Sequence, residues 1–429
     1  MSLKIHNFDL RLAPDPSRVV IRPFHIAPEP RDLNVTQMDR AKRIVDAVLE
    51  MTTEECQRNL AVVDADFASR HWQTQAVYLR RYEQIMADLR MSLELSRPHQ
   101  ELIGAYFCHE YSYVAAAIMN PSVVTHPDQS GMRKGEQRFV MSLRAVGEGH
   151  ISSIAFREGI LTADGDMRLW PQPTFSIAAE SRTPHPEADF DVFRSEAAPI
   201  SGTVLFPFTR AQRNGLEDCR LVRFVDDDGK ASYFGSYTAY SGTGIGSELL
   251  QTDDFTKFRL SPMRGAASHN KGMAFFPRRI DGDYAVIGRQ DGESLFFMRS
   301  NDKLEWNGGV KILAPKFAWE LVQIGNCGSP IELDEGWLLF THGVGPVRRY
   351  SIGAVLLDKT DPTKVLARSR EPLVRPEASE REGYVPNVVY TCGGMRFSDR
   401  IILPYAVSDT FSTVATMKIA ALLGSLQGC

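Results

Sequence analysis

Cysteine is scarce and scattered. The six in 429 residues (Cys56, Cys108, Cys219, Cys327, Cys392 and Cys429) include no CxxC pair. This excludes a zinc site built from Cys and reads as reduced thiols in a cytoplasmic protein. Long apolar runs are also missing. None reaches bilayer-spanning length, and the opening stretch MSLKIHNFDLRLAPD has no apolar core of signal-peptide length. Neither sign of charge dominates. A net charge of −4 gives no general attraction to nucleic acid or to anionic membranes, so neither is expected as a partner, although local basic clusters can still hold a small anion. The ten His residues are dispersed with no HExxH spacing, and no GxxxxGK[ST] loop occurs. SGTGIGS (241–247) contains GTGIG, but the next run is strand-like where a dinucleotide fingerprint needs a helix. It reads as a loop over a site. No metal and no organic cofactor is expected.

What is present divides near residue 118. Before it the periodicity is helical: Val35, Met38, Ala41, Ile44, Val45, Val48 and Leu49 form one stripe. Thr53 with Glu54 and Glu55 predicts the N-cap and acidic first turn of a second helix. Trp72 to Leu95 predicts a third, and Pro98 opens a fourth at a favoured first-turn position. Residues 1–117 are therefore expected to form a helical region, with a homo-oligomer contact as one role for it. After residue 118, short runs rich in Val, Ile, Phe and Tyr alternate with Asp/Gly turns. The strand–turn–strand unit recurs at 160–170, 219–242, 273–289, 330–344 and 388–410, a spacing of roughly 50–60 residues. Strand repeats of that period predict a mainly β fold, a five-bladed β-propeller over 118–429, with a β-sandwich as the alternative. In a propeller, residues near the start of each unit meet around the axis.

That geometry turns scattered residues into one site. Glu217 and Asp218 are adjacent carboxylates, with Arg220 two residues on. Like charges so close are expected to raise one carboxyl pKa and leave a general acid near neutral pH. The first unit adds Arg144 and Glu148, and the second Tyr237. The third adds Lys271 and Arg289, the fourth His342, and the fifth Asn387, Tyr405 and Asp409. Singly, each has a plain structural reading. Lys271 and Arg289 suit a surface, His342 suits a hydrogen-bonded core, and Asp409 suits a turn cap. Together they offer an acidic cluster and a set of cations, Lys271, Arg289 and His342, able to hold a dianion such as phosphate. Tyr237, Trp319 and Tyr405 offer aromatic faces to a sugar.

These segments resemble glycoside hydrolase family 130, the β-mannoside phosphorylases and mannosidases, which are five-bladed propellers. The matching stretches are Gly215 to Arg220 with Tyr237-Thr238, Lys271 to Tyr284 with Arg289, Gly336 to Val344, and SIGAVLLD (351–358). SREPL (369–373), EGYVPNVVYT (382–391), and Tyr405 with Asp409 complete the set. The resemblance covers roughly residues 118–420. One departure is Cys219, where the family usually carries Pro after the Glu-Asp pair, which alters the local backbone restraint. The resemblance implies that Asp218 is the catalytic acid, its proton reaching the glycosidic oxygen through a sugar hydroxyl. It also implies that Lys271, Arg289 and His342 hold inorganic phosphate, the co-substrate, which attacks C1 with inversion. The expected partners are a β-mannoside oligosaccharide and phosphate, with Arg144, Glu148, Glu217, Arg220, Tyr237, Asn387, Tyr405 and Asp409 around the sugar.

Two alternatives stand beside this reading. An inverting β-mannosidase of the same fold needs a second carboxylate about 6.5–9.5 Å from the acid to activate water, and Glu148 and Glu382 are the candidates for it. A non-catalytic carbohydrate-binding propeller would tolerate loss of Asp218. Phosphate is already ionised at neutral pH and needs no general base, so one acid and a cationic pocket suffice for phosphorolysis. The retained cations favour it.

Overall fold

A computed structural model describes residues 3–24, 37–71, 73–183, 186 and 188–428. Val35 and Trp72, both predicted to lie in helices, fall outside the described residues. The chain separates into two compact units. One comprises Ser17–Ser112 with Thr174–Ala178. The other comprises Met1–Pro16, Tyr113–Pro173 and Ala179–Cys429.

The smaller unit holds four helices: α1 (Gln37–Leu49), α2 (Thr53–Phe67), α3 (Thr74–Leu89) and α4 (Arg97–Tyr106). Val45, Val48, Cys56, Leu60, Ile85, Leu102 and Ile103 form their common core. The cap of α2 falls one residue earlier than predicted. Thr52, not Thr53, accepts from the Glu55 amide (3.2 Å), and the Glu55 carboxylate accepts from the Thr52 amide (2.8 Å). This reciprocal pair satisfies two amides that a helix start leaves open. Helix α3 stops at Leu89, short of the predicted Leu95, because Arg90 turns left-handed (φ 52°) and closes the helix. Pro98 sits in the first turn of α4, as predicted. Helix α4 approaches α3 so closely that a Cβ on Gly104 would lie 1.8 Å from the Tyr78 carbonyl oxygen. A two-stranded ribbon pairs Val19–Pro23 with Cys108–Ser112.

The larger unit is mainly β, and most of its strands fall into five consecutive antiparallel meanders, with Glu180–Ser181, Phe190–Phe193 and Thr203–Leu205 added to the first two. The first runs through Ala117–Thr125, Gln137–Val146, Ser152–Leu161 and Met167–Leu169. The second comprises Gly215–Val225, Ala231–Tyr240, Ile245–Thr252 and Lys257–Pro262. The third comprises Ala274–Phe275, Tyr284–Gly288, Leu295–Ser300 and Val310–Leu313. The fourth is built from Gln323–Asn326, Trp337–Gly345, Arg349–Leu357 and Val365–Arg368. The fifth has Val389–Tyr390, Arg400–Val407 and Phe411–Lys418. Its outer strand is His6–Asn7, from the beginning of the sequence (His6 opposite Thr416, Asn7 opposite Ala415). Residues 3–16 thus belong with the β unit, although the sequence pattern assigns 1–117 to the helical region.

Neighbouring meanders are tied in series. The Leu221 amide donates to Ser122 Oγ (3.1 Å), and Ser236 Oγ donates to the Met273 carbonyl. Asn326 Nδ2 donates to the Gly272 carbonyl (2.6 Å). Gly328 lies against Cys392, where a Cβ would come within 2.3 Å of the carbonyl oxygen. The Cys392 amide donates to the Pro121 carbonyl (2.8 Å), which returns the series to the first meander. Between adjacent meanders lie apolar cores, such as Phe156, Leu221, Tyr233, Phe255 and Phe258 between the first two. The turn SGTGIGS joins two strands of the second meander, and the strand Ile245–Thr252 follows it. Among the described residues no helix is long and apolar enough to cross a membrane.

Candidate active site

Two bulges create the acidic centre. In a regular strand, side chains alternate faces, so Glu217 and Asp218 would point apart. Register slips between Glu217 and Arg220, and Asp218 adopts φ 55°. Both carboxylates then reach one guanidinium: Arg144 donates to Glu217 Oε1 (2.7 Å) and to Asp218 Oδ1 (3.3 Å). The neighbouring first strand slips in the same way between Met119 and Ser122, with Asn120 at φ 51°. Asn120 Nδ2 donates to Asp218 Oδ1 at 2.7 Å. Paired bulges with left-handed residues are a common way to re-aim side chains at a site. Arg144 is itself held by Ser152 Oγ (2.9 Å).

Arg220 braces this centre from beneath. It is 2% exposed and spends its donors on the Cys327 carbonyl (2.9 Å), the Asp218 carbonyl (2.8 Å) and Tyr390 Oη (2.9 Å). It differs from the expected sugar ligand in having its donors committed to the protein. Lys271 Nζ lies 2.8 Å from Glu217 Oε2.

The field at Asp218 reverses the expectation drawn from the sequence. Burial alone would push its carboxyl up. Arg144, Arg220, the Asn120 hydrogen bond and Lys271 outweigh that and hold it at about 2. Adjacent carboxylates do not repel into a neutral acid when each has its own cation. The raised carboxyl is Asp409, at φ 46° in the fifth meander. Burial and the charge of Asp218 push it up to about 6, against the partial counter-pull of Arg144 and Arg348. The two aspartates therefore divide into one ionised and one that titrates near neutrality.

Beside them lies a basic pocket. Arg289 NH1 meets His342 Nε2 at 3.5 Å, and Gln323 Nε2 meets the same nitrogen at 3.3 Å. Gly325 must be glycine here: a Cβ would lie 2.4 Å from the His342 ring and 2.6 Å from Arg289 Cδ. Arg289 Nε is buried without a partner, and among the described residues no carboxylate pairs with this guanidinium. His342 is 1% exposed and packed between Tyr350 and Tyr390. Burial first, then Arg289 and Arg220, hold its pKa well below the ordinary value, so the imidazole is neutral rather than the cation expected from sequence. Asp218 lies within electrostatic reach of both Lys271 and His342.

The remaining expected ligands lie elsewhere. Tyr237 is buried in the core between the first two meanders, its hydroxyl bound to Glu248, which also accepts from Gln212 Nε2. Burial raises both the Tyr237 and Glu248 pKa values. Tyr405 packs in the core of the last two meanders and reaches Asn7 Oδ1 at 3.4 Å. Neither aromatic face is open to a sugar. Glu148 and Glu382 are exposed. Asn387, at φ 62°, lines a separate pocket with Trp319 and Arg349. Conversely, Asn120, Asn326 and Tyr390 enter the centre without having been singled out. Asn120 had a legible signal, since Asn-Pro inside an apolar strand marks a break in the ladder.

The model of glycoside hydrolase family 130, described as beta-1,4-mannooligosaccharide phosphorylase, matches residues 196–427. A beta-1,2-mannobiose phosphorylase of Listeria innocua is 31% identical over 230 residues, covering 52% of this chain. This chain spans 63% of that relative, less than two thirds of its length. A 1,2-beta-oligomannan phosphorylase of a Thermoanaerobacter species is 38% identical over 223 residues, covering 49% of this chain and 71% of the relative. Among solved structures, the Listeria innocua enzyme in complex with beta-1,2-mannobiose superposes with a TM-score of 0.50 at 21% identity, covering 72% of this chain and 92% of that one. A glycosyl hydrolase from Bacteroides ovatus gives 0.53 at 17%, covering 72% and 86%. The matched span takes in the Glu217–Asp218 bulge, Lys271, the Arg289–His342 pocket and Asp409, and on that match the chain belongs to glycoside hydrolase family 130.

Proposed function

We propose that the β unit is a five-bladed propeller carrying an inverting β-mannoside phosphorylase site. The five meanders are its blades, and His6–Asn7 closes the last of them. The named phosphorylases among the relatives support a mannoside as donor. The observation that carries phosphorolysis is Arg289: a guanidinium with a buried, unpartnered Nε and no carboxylate, against a neutral His342 and one pocket from Lys271. Around the centre, Arg144, Arg220, Lys271, Arg289 and Arg348 face Glu217, Asp218 and Asp409. The cations outnumber the carboxylates by two, the charge of monohydrogen phosphate. Arg289 and Lys271 hold the anion in line with C1, and His342 supplies a neutral imidazole beside it.

In the reaction, a phosphate oxygen forms a bond to C1 as the glycosidic C–O bond breaks. The leaving oxygen receives a proton that originates on Asp218 and passes through a mannosyl hydroxyl, giving α-mannose 1-phosphate. Asp218 is ionised while its arginine neighbours and Lys271 outweigh its burial. Phosphate in the pocket offsets part of that field, so the acid gains its proton when the co-substrate is bound. Asp409 binds a sugar hydroxyl, Arg144 orients the Glu217 and Asp218 carboxylates, and no other cofactor is needed.

The test is direct. Incubate the protein with β-1,2- and β-1,4-mannobiose, with and without inorganic phosphate, and follow mannose 1-phosphate and free mannose. Phosphate-dependent mannose 1-phosphate supports the reading. Equal turnover to free mannose without phosphate would sink it in favour of the hydrolase. Full turnover by Asp218→Asn would remove Asp218 as the acid.

A further inference from the structure

Trp319 lies outside the machinery above and is built into the fold with unusual care. Its ring covers the strand pair of the fourth meander where that pair has no side chains. A Cβ on Gly343 would come 2.4 Å from the ring, and one on Gly353 would come 2.6 Å from it. A Cβ on Gly345 would likewise lie 3.1 Å from the Trp319 carbonyl oxygen. The indole Nε1 donates to the Arg370 carbonyl (3.1 Å), which fixes the ring plane. Its turn is locked by the buried Glu320, which accepts from the Lys316 and Phe317 amides (2.9 and 3.1 Å) and pairs with Arg368. A flat indole resting on glycines leaves its other face to a cavity of about 440 Å³, a size that fits a sugar. An indole face is the usual apolar platform for the C–H face of a pyranose.

The rim is cationic. Arg349 and Arg381 line this cavity and also a second one of about 450 Å³, where Arg375 and Glu377 join them. All three arginines are exposed, and among the described residues none is ion-paired with a carboxylate. Three unpaired guanidiniums against one carboxylate favour an anion over a neutral ligand. We propose that the Trp319 platform and the Arg349–Arg375–Arg381 rim form a second carbohydrate site, selective for a sugar bearing a carboxylate or a phosphate. The site does not rest on the phosphorylase reading. It adjoins that machinery through the hairpin that carries His342, whose ring Tyr350 covers, and through Asn387, whose carbonyl accepts from the Tyr350 amide (3.1 Å).

The test uses the full chain, with mannose 6-phosphate and glucuronate as probes and mannose as the neutral control, read by calorimetric titration. At least one anionic probe should bind about tenfold tighter than mannose, and the preferred probe tells phosphate from carboxylate. The double variant Arg349→Ala/Arg381→Ala, at exposed positions that leave the core intact, should weaken that probe about tenfold or more. Trp319→Ala should weaken both probes, with a thermal melt confirming that it folds. Lys271→Ala should leave binding in place, because Lys271 belongs to the other pocket. Equal binding of mannose, survival of binding in the double arginine variant, or its loss in Lys271→Ala would each overturn the proposal. Absence of mannose 1-phosphate synthesis would leave it standing.

Discussion

Asp409→Asn is expected to make the protein more stable, and more so at high pH. Asp409 has its carboxyl at about 6 in the fold against 3.8 for the exposed, unpaired carboxyl of an unfolded chain. The sign follows from proton binding. A raised folded-state pKa means that the native state binds the proton more tightly, so the ionised carboxylate penalises folding above pH 6 and the penalty disappears as pH falls below 3.8. A difference of about 2 units corresponds to at most about 3 kcal/mol at pH 8, with solvent screening of this half-buried group lowering it. At pH 4.5 the same linkage leaves about 1 kcal/mol, because the folded carboxyl is then protonated and the unfolded one mostly is not. Asn carries the same shape without the charge and feels neither term. The β unit, of roughly 330 residues, has an unfolding entropy near 0.7 kcal/mol/K, so these values correspond to a rise in Tm of about 4 °C at pH 8 and about 1.5 °C at pH 4.5. Thermal melts of the two proteins at both pH values, at one ionic strength, check this. A variant less stable than the parent at pH 8, or an equal gap at both pH values, would refute the account of the Asp218–Asp409 pair.

Three further outcomes follow from the geometry. Asp218→Asn should lower phosphorolysis by about 10²–10⁴-fold while the protein still melts cooperatively, and a loss below tenfold would exclude it as the acid. Arg289→Ala should raise the KM for phosphate about tenfold or more, with a smaller change in the KM for mannoside; equal rises in both would contradict the assignment of this pocket to the anion. Gly325→Ala should cost about 1–3 kcal/mol and weaken phosphate, because its Cβ collides with the His342 ring and Arg289 Cδ. A parental Tm together with a parental phosphate KM would show that the pocket is looser than its spacing indicates.

The strand–turn–strand units were legible because each is a local statement. ILTADGDMRLW folds as the pair Ser152–Leu161 and Met167–Leu169 around a turn at Thr162–Asp166, where the Thr162 and Asp166 backbones are bonded (2.9 Å). The helices were equally local, and the errors lay in their ends, the largest at the third, which stops at Leu89 and not Leu95. Alternation and turn chemistry act over a few residues, so no distant contact is needed to read them. The position of Thr52 shows the limit, since two adjacent threonines offer the same cap and only the reciprocal bond to Glu55 chooses between them.

The structure brings Asp218 within electrostatic reach of Lys271 and His342, but with other charges than the sequence suggests. Asp218, Lys271, Arg289 and His342 could be named in advance, but their protonation belongs to their surroundings. Glu217 and Asp218 look like a repelling pair until Arg144 and Lys271 stand opposite them. His342 looks like a cation until burial and two arginines hold it neutral. Tyr237 and Tyr405 look like sugar platforms until the sheets close over them.

The amino-acid order alone determined the helical and β segments, the five recurring units, and which side chains were available for an acid and an anion pocket, because those properties depend on neighbours along the chain. Tertiary structure alone decided that the strand His6–Asn7 pairs with Phe411–Lys418 near the other end of the sequence, as His6 opposite Thr416 shows. It also decided that a bulge turns Asp218 toward Arg144 and that Asp409, not Asp218, is the carboxyl near neutrality. Burial and charge act through space, and residues far apart in the sequence, such as Arg144 for Asp218 and Asp218 for Asp409, supply them.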